Sequence, residues 1–195
     1  KTLNFSKEKT DFLIFGTGGS NLGARALVNI MKVNNKVNLH FYDNIDPINF
    51  KNCIEKIDLI NAGIIIISKS GHTPETLSQF SALIEIFEQK NFLDILYKNC
   101  LIITEDKSSP LSNIAHNNNC LIMNHDKNIG GRYSIFSNVG MVPAIIAGMD
   151  VKKIHLGAKK ARDLYTKYDY HQIAQLFRYQ NFQNKLTNSV LMTYS

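Results

Sequence analysis

Cysteine is scarce in this sequence, and its placement excludes two kinds of cross-link. The 195 residues contain three cysteines, Cys53, Cys100 and Cys120. An odd number of widely separated cysteines does not suit a disulfide framework, and none has the close spacing of metal ligands. We therefore predict free thiols in a reducing compartment and no metal site.

Long apolar runs are also missing. A helix that spans a bilayer needs roughly 18–20 apolar residues, whereas the clearest apolar run here is the short segment Ile64–Ile67. The start of the chain does not have the layout of a signal peptide. These absences predict a soluble, cytoplasmic protein that does not bind a membrane.

Positive charge is present but not concentrated. The formal net charge is +6, with lysines spread over most of the chain. Nucleic-acid binding would call for arginine and lysine clustered among aromatic residues. The densest basic segment, Lys152–Arg162, has helical spacing and is typical of a solvated helix face. We predict no nucleic-acid partner, and the excess charge would at most favour an anionic substrate.

Apolar runs alternate with amphipathic segments along the chain. The uncharged run Gly63–Ile67 is typical of a strand covered on both faces, and therefore of a parallel sheet, while Thr76–Phe87 has apolar residues at helical spacing. The same patterns predict strands at Asp11–Phe15, Val37–Tyr42, Cys100–Thr104 and Cys120–Met123, and helices at Asn21–Met31, Ile48–Leu59, Pro110–Ala115 and from Ser134 to about Leu186.

This alternation predicts the fold class. We expect an α/β fold with a three-layer, doubly wound parallel sheet flanked by helices, followed by a mostly helical C-terminal extension. The boundary between the two parts is expected near residue 150. Ligands in such folds bind at the carboxyl ends of the strands, so the loops that leave the predicted strands are the candidate sites.

The first such loop is glycine-rich and runs from Gly16 to Gly23. It could bring the backbone close to an anionic ligand at the start of the next helix. A dinucleotide fingerprint would need a third glycine where Asn21 stands, and a P-loop would need a Gly-Lys-Ser/Thr sequence that is absent. The alternatives left open are a phosphate site, a tight structural turn, and a nucleotide site in which Asp43 binds the ribose.

The second loop, Ser68–Thr76, is rich in hydroxyl groups. It has the sequence Ser-Lys-Ser-Gly-His-Thr-Pro-Glu-Thr and lies between the predicted isoleucine strand and a helix. Hydroxyls and helix N-terminal amides are neutral donors that suit a phosphate dianion. Thr73 is placed as the N-cap and Pro74 as the first helical residue. An ordinary capped helix needs one hydroxyl rather than four, so the loop is predicted to bind phosphate.

Two residues of this loop have simpler explanations. His72 is more typical of a solvent-facing loop residue than of a catalyst. Glu75 lies in the first helical turn, where a carboxylate interacts favourably with the helix dipole.

The third loop, Gly130–Ser134, places Arg132 at a glycine-flanked bend. It precedes a predicted helix that carries Phe136 and Val139. An arginine in this setting can stabilise developing negative charge, although a surface salt bridge is the alternative for this motif by itself.

Taken in order, the three loops resemble the phosphoglucose isomerases, a family built on the sugar-isomerase (SIS) fold. The motifs that carry the resemblance are Gly-Thr-Gly-Gly-Ser-Asn-Leu-Gly, then Ser-Lys-Ser-Gly-His-Thr-Pro-Glu-Thr, then Gly-Gly-Arg-Tyr-Ser followed by Ser-Asn-Val-Gly. The first two are shared by SIS proteins generally, whereas the third is much more specific to the isomerases. The resemblance extends from about Phe12 to the end of the chain.

The resemblance implies a role for each matching residue. The phosphate-binding loop would comprise Ser68, Lys69, Ser70, Thr73 and Thr76; Gly19 and Ser20 would meet the sugar hydroxyls; and Arg132, with Gly131 beside it, would stabilise an enediolate. The implied reaction interconverts glucose 6-phosphate and fructose 6-phosphate by proton transfer between C1 and C2, without a metal or organic cofactor. A homodimer is implied for a full-length protein.

The sequence departs from the family in one respect. The resemblance places the general base in a Glu-Ser-Gly-Lys-like segment, and no such segment occurs here. We therefore expect a fragment, with residues 1–150 forming an SIS-like sugar-phosphate-binding domain and residues 151–195 a helical segment leading to a second SIS domain. Such a chain is expected to be inactive alone. A stand-alone sugar-phosphate-binding SIS module is the alternative, although a sensor would have no use for Arg132.

Overall fold

The computed structural model describes residues 2–31 and 37–167 of the chain. Five strands form the sheet: β1 (Asp11–Phe15), β2 (Asn38–Tyr42), β3 (Gly63–Ile67), β4 (Cys100–Thr104) and β5 (Leu121–Asn124). The helices are α1 (Thr2–Ser6), α2 (Gly19–Met31), α3 (Pro47–Ile54), α4 (Pro74–Gln89), α5 (Leu93–Lys98), α6 (Pro110–Asn117), a 3₁₀ helix (Gly131–Phe136), α7 (Asn138–Ile146) and α8 (Val151–Lys167).

The five strands form one sheet in the order β2-β1-β3-β4-β5, and every neighbouring pair is parallel. The register places Phe15 opposite both Tyr42 and Ile66, so three strands end at nearly the same level. The order reverses between β1 and β3. The loops that follow these two strands therefore diverge, and the crevice between them is where doubly wound sheets bind ligands.

Strand β3 explains why the sheet has helices on both faces. All five of its residues are buried, and alternate side chains point to opposite sides of a strand. Ile64 and Ile66 pack with residues of α3, α4, α5 and α6, whereas Ile65 and Ile67 pack with residues of α1 and α7. Each face of the sheet therefore has its own apolar core, and the predicted α/β fold with a parallel sheet between helices is confirmed.

Several element boundaries differ from the sequence prediction. The predicted helix Ile48–Leu59 ends at Ile54, because the following amides of Lys56 and Ile57 bond to carbonyls three residues back rather than four. The helix predicted from Ser134 is interrupted at Ser137, whose extended backbone separates the 3₁₀ helix from α7. Its predicted continuation to Leu186 passes beyond residue 167 and lies outside the described residues.

Two compact units divide the chain, residues 1–151 and 152–195. The first contains the whole sheet and all three candidate loops, whereas the described part of the second is helix α8 from its second residue, Lys152, to Lys167. Across residues 2–31 and 37–167, every helix is too short or too polar to span a bilayer.

Candidate sugar-phosphate site

The hydroxyl-rich loop leaves the carboxyl end of β3 and enters α4. Ser68 is buried, and its hydroxyl lies 2.9 Å from that of Thr73. The same Ser68 oxygen accepts a hydrogen bond from the Gly71 backbone N–H at 3.1 Å. These contacts close the loop on itself and gather the hydroxyls at one end of the strand.

Gly71 is required by the shape of this loop. Its φ of 68° lies in the left-handed region, and an added Cβ would collide with the side chain of Ser109. Ser109 is the buried N-cap of α6, and the amide of Leu111 in that helix bonds to the Gly71 carbonyl at 3.3 Å. The hydroxyl-rich loop is thus packed directly against the start of a second helix.

Helix α4 begins as the sequence predicts, with Thr73 as N-cap and Pro74 as the first helical residue. The Thr73 side chain does not cap the helix, since its hydroxyl is paired with Ser68. Within the described residues, the backbone N–H groups of Glu75 and Thr76 donate no hydrogen bond to the protein. Free amides at the start of a 16-residue helix form an anion-binding end.

Ser70 and His72 lie next to each other at the outer part of the loop. Ser70 Oγ accepts from the His72 backbone N–H at 3.1 Å, and His72 Nδ1 lies 2.8 Å from the Ser70 carbonyl oxygen. His72 is exposed and bonded locally, in keeping with a loop residue rather than a catalyst. The Ser70 hydroxyl keeps its own proton free to donate.

Thr76 differs from the other hydroxyl residues. It is fully buried, and its Oγ1 has no hydrogen-bond partner among the described residues. The structure therefore gathers Ser68, Ser70 and Thr73 near the loop surface and places the Thr76 side chain beneath it.

Lys69 extends away from the hydroxyls. Its Nζ donates to the backbone carbonyls of Lys127 and Ile129, at 2.8 and 2.9 Å, and lies 3.7 Å from a carboxylate oxygen of Glu105. An ammonium group has three hydrogens to donate, and three acceptors surround this one. Its side chain thus joins the β3 loop to the segment that follows β5.

Glu105 lies at the centre of a small charged group. It contacts Lys107 Nζ at 2.6 Å in addition to Lys69. The hydrogen bond from Lys107 and the charges of both lysines hold the pKa of the Glu105 carboxyl below its ordinary value. The carboxylate therefore stays ionised beside the Lys69 ammonium at neutral pH.

The glycine-rich loop contacts the arginine-bearing segment through bare backbone. A Cβ on Gly19 would collide with the carbonyl group of Gly131 and lie 2.5 Å from the Arg132 nitrogen. Ser134 Oγ donates to the Gly131 carbonyl at 2.6 Å and lies 3.4 Å from the Gly19 carbonyl. Ser20, the next candidate, is half-buried at the start of α2.

Arg132 is exposed on the 3₁₀ helix. Considering residues 2–31 and 37–167, its guanidinium forms no salt bridge. A surface salt bridge was the alternative role predicted for Arg132, and Arg132 forms none in this part of the chain.

Asp43 is engaged elsewhere. Its carboxylate lies 3.2 Å from Arg25 Nη1 of helix α2. A nucleotide site would need this carboxylate for the ribose, so the ion pair counts against the dinucleotide interpretation of the glycine loop.

Several polar residues that shape this region were not predicted from the sequence. Glu105 and Ser134 contact the candidate residues, while Asn21 is buried in the first turn of α2 with neither side-chain amide atom paired among the described residues. Glu105 follows a predicted strand, which was an available signal. Ser134 was visible only as the last residue of the arginine motif.

Comparison with known proteins identifies relatives of this chain. A family model described as "Phosphoglucose isomerase" matches residues 4–174. A glucose-6-phosphate isomerase from Campylobacter jejuni is 33% identical over 100% of this chain and 48% of its own length. A probable glucose-6-phosphate isomerase from Methanococcus maripaludis is 35% identical over 80% of the chain and 36% of its own length.

Solved structures agree with the fold. A hypothetical protein from Thermus thermophilus superposes with a TM-score of 0.77 at 27% identity, covering 83% of this chain and 39% of its own. A glucose-6-phosphate isomerase from Chlamydia trachomatis gives a TM-score of 0.68 at 24% identity, covering 77% of this chain and 28% of its own. The chain spans between about a third and a half of the length of the curated relatives described above.

Proposed function

The chain belongs to the phosphoglucose isomerase family, and from that premise we propose that it supplies the phosphate-binding loop and a charge-stabilising arginine to an aldose–ketose isomerase. The substrates would be glucose 6-phosphate and fructose 6-phosphate. The observation that carries this proposal is the loop Ser68–Thr73, which presents hydroxyls next to unpaired amides at the start of α4.

The phosphate would be bound by hydroxyl and amide donors. We assign Ser68, Ser70 and Thr73 through their side chains. Lys69 and Thr76 would take part through their backbone N–H groups, because the Lys69 ammonium is bonded to other groups and the Thr76 hydroxyl is buried. Hydrogen bonds to an ionised group are short and strong, so this set suits a dianion.

The sugar would extend from this phosphate towards the glycine loop. We assign Gly19 and Ser20 to its hydroxyls, because they adjoin the backbone of Gly131 and Arg132. Moving a proton from C2 to C1 passes through an enediolate, whose oxygens carry negative charge. The guanidinium of Arg132, which has no salt bridge within residues 2–31 and 37–167, would stabilise that charge as it develops. We assign no general base within this chain.

Several further properties remain part of the proposal. The reaction needs neither metal nor organic cofactor, and a homodimer and a role in glycolysis and gluconeogenesis would follow from the family. Cys100 and Cys120 are buried free thiols, which supports a reducing, cytoplasmic compartment.

Ligand-induced thermal protection tests the binding proposal. We expect fructose 6-phosphate, and inorganic phosphate more weakly, to raise the Tm of the chain, because a ligand that binds only the folded state stabilises it. Fructose and NAD are the controls and should leave the Tm unchanged. Protection by NAD without protection by fructose 6-phosphate would instead support a nucleotide-binding protein.

A sugar-phosphate sensor built on the same fold would also pass this test. A carboxylate analogue separates the two functions. In 5-phosphoarabinonate, a carboxylate stands where enediolate charge would develop. An isomerase site should bind it more tightly than fructose 6-phosphate, because enzymes favour the charge distribution of the transition state. Equal affinities would favour the sensor.

A further inference from the structure

We propose that the Lys69 ammonium positions Arg132 by fixing the loop that precedes it, and that it does not bind the substrate phosphate. This inference rests on the proposed function for the role of Arg132. The contacts of Lys69 themselves do not depend on that function.

The donors of Lys69 are already used within the protein. Its Nζ donates two hydrogen bonds, to the carbonyls of Lys127 and Ile129 at 2.8 and 2.9 Å, and forms a longer ion pair with Glu105 at 3.7 Å. A phosphate that drew the ammonium towards itself would have to break these bonds. By contrast, Ser70 keeps its hydroxyl proton free to donate, and one hydroxyl of the Ser68–Thr73 pair can still donate without breaking their mutual bond.

The bonded carbonyls lie directly before the arginine motif. The amide of Ile129 closes a turn on the carbonyl of Asp126, and the amide of Asn128 bonds to the Asp126 side chain at 2.8 Å. Ile129 is followed by Gly130, Gly131 and Arg132. Fixing the carbonyl of Ile129 therefore fixes the start of a segment that two glycines would otherwise leave flexible.

The other end of the segment is fixed independently. Gly131 packs against Gly19, and Ser134 bonds to the Gly131 carbonyl. The arginine segment is thus held at one end by Lys69 of the β3 loop and at the other by Gly19 of the β1 loop. The phosphate loop and the arginine would then keep a constant separation, as catalysis by positioning requires.

Lys107 provides a matched control. It is closer to Glu105 than Lys69 is, at 2.6 Å against 3.7 Å. The bonds of its ammonium reach no carbonyl of residues 126–130 within the described residues. Lys107→Met therefore removes the same charge beside the same carboxylate without touching the loop.

Amide hydrogen exchange of the 195-residue chain is the first measurement. Lys69→Met should accelerate exchange in residues 127–133 about tenfold while other amides stay within about twofold, because two charge-assisted bonds hold this segment locally. Lys69→Arg should restore most of the protection, and Lys107→Met should show none of the effect. Should Lys69→Met not fold, Lys69→Gln replaces it, since its shorter amide cannot reach both carbonyls.

Ligand affinity is the second measurement, made with inorganic phosphate and with 5-phosphoarabinonate. Lys69→Met should leave the Kd for phosphate within about threefold and raise that for 5-phosphoarabinonate about tenfold, because only the second ligand needs a positioned Arg132. A tenfold loss of phosphate affinity with unchanged exchange would overturn the proposal and make Lys69 a direct ligand. Uniformly faster exchange throughout the chain would also overturn it.

The two measurements separate this inference from the proposed function. If the unmutated chain binds neither ligand, the proposed function is wrong, and the exchange comparison still decides whether Lys69 fixes the loop. If it binds both and Lys69→Met changes neither exchange nor affinity, the proposed function stands and the role given to Lys69 is wrong.

Discussion

The backbones of Gly19 and Gly131 are in direct contact, and this contact leaves no room for a side chain at position 19. A Cβ there would meet the carbonyl group of Gly131 and the nitrogen of Arg132. Because both partners are backbone, neither can rotate away to relieve the contact. This contact joins the two loops on which the proposed sugar and enediolate contacts depend.

Gly19→Ala should therefore displace the arginine segment. We expect a loss of about 1–3 kcal/mol in the free energy of unfolding, the usual cost of overpacking, measured by urea denaturation. Gly157→Ala is the control, since a Cβ there has no neighbour within 4 Å in the described part of the chain. In the interior of α8 that change should instead stabilise the helix by about 0.5–1 kcal/mol. Equal stability of Gly19→Ala and the unmutated chain would contradict the contact.

Ser70→Ala combined with Thr73→Ala should weaken phosphate binding severely. Each substitution removes a hydrogen bond to an ionised group, worth about 1.5–3 kcal/mol. Together they should raise the Kd for inorganic phosphate at least about a hundredfold in isothermal titration calorimetry. Ser78→Ala, a serine further along the same helix, should leave the Kd unchanged. A double variant that bound normally would place the phosphate elsewhere.

Arg132→Ala should separate charge stabilisation from phosphate binding. We expect a large loss of affinity for 5-phosphoarabinonate, about 1.5–3 kcal/mol for a lost charged hydrogen bond, and little change for inorganic phosphate. In an active isomerase of the relatives' full length, the same change should lower kcat much more than it raises KM.

Arg162→Ala is the control for net charge in this experiment. Arg162 is an exposed arginine of α8 paired with Asp163, so its removal changes the net charge equally and takes no residue from the three candidate loops. If both variants lost affinity for 5-phosphoarabinonate to the same degree, a general electrostatic effect would explain the result and Arg132 would have no specific role.

The stability of the chain should fall in acid partly through Asp11. Its carboxylate lies 2.9 Å from His40 Nε2 and also accepts from Asn38 and Thr10. The hydrogen bond from His40 is the main cause that lowers the pKa of Asp11 below its ordinary value of 3.8. A lowered folded-state pKa means that this contribution is complete above the unfolded-state pKa and is lost as pH falls through the folded value.

Urea unfolding between about pH 5 and pH 3 measures this contribution. Asp11→Asn should be less stable than the unmutated chain at about pH 5, and the difference should shrink as the pH falls below about 4. Asp94→Asn, at the start of α5, is the control: it tests whether removing a carboxylate elsewhere gives the same pH-dependent difference in stability. A constant difference at all pH values would show that Asp11 acts without its charge.

The sheet was largely predictable from the sequence because its strands are short and mostly uncharged, and the three central strands are covered on both faces. The predicted bounds of β1, β3 and β4 are confirmed to the residue. Helices α1 and α5 were not predicted, since five or six residues are too few to establish a helical period. The apolar spacing around Ser134 and Val139 continues through Ser137, so the break there was not visible either.

The position of the candidate loops in the fold was predictable, but their side-chain contacts were not. Three motifs after predicted strands indicated the location, because parallel strands bring their carboxyl ends to one edge. The acceptors of Lys69 are backbone carbonyls 58 and 60 residues away, and every residue type has a carbonyl. No sequence pattern could therefore show that this lysine joins two loops rather than facing a ligand.

The parallel sheet also has a consequence for folding order. The contacts that assemble the candidate site join residues far apart in the chain, 60 residues for Lys69 and Ile129 and 115 for Ser134 and Gly19. Contacts of such high sequence separation form slowly, because closing a long loop costs conformational entropy before the contact can stabilise the fold. The contacts between the candidate loops therefore form only after Gly19, Lys69, Ile129 and Ser134 have been brought together. Under the proposed function, recovery of fructose 6-phosphate binding during refolding should therefore follow the formation of these contacts, and a nascent chain should not form them before the segment after β5 has been synthesised.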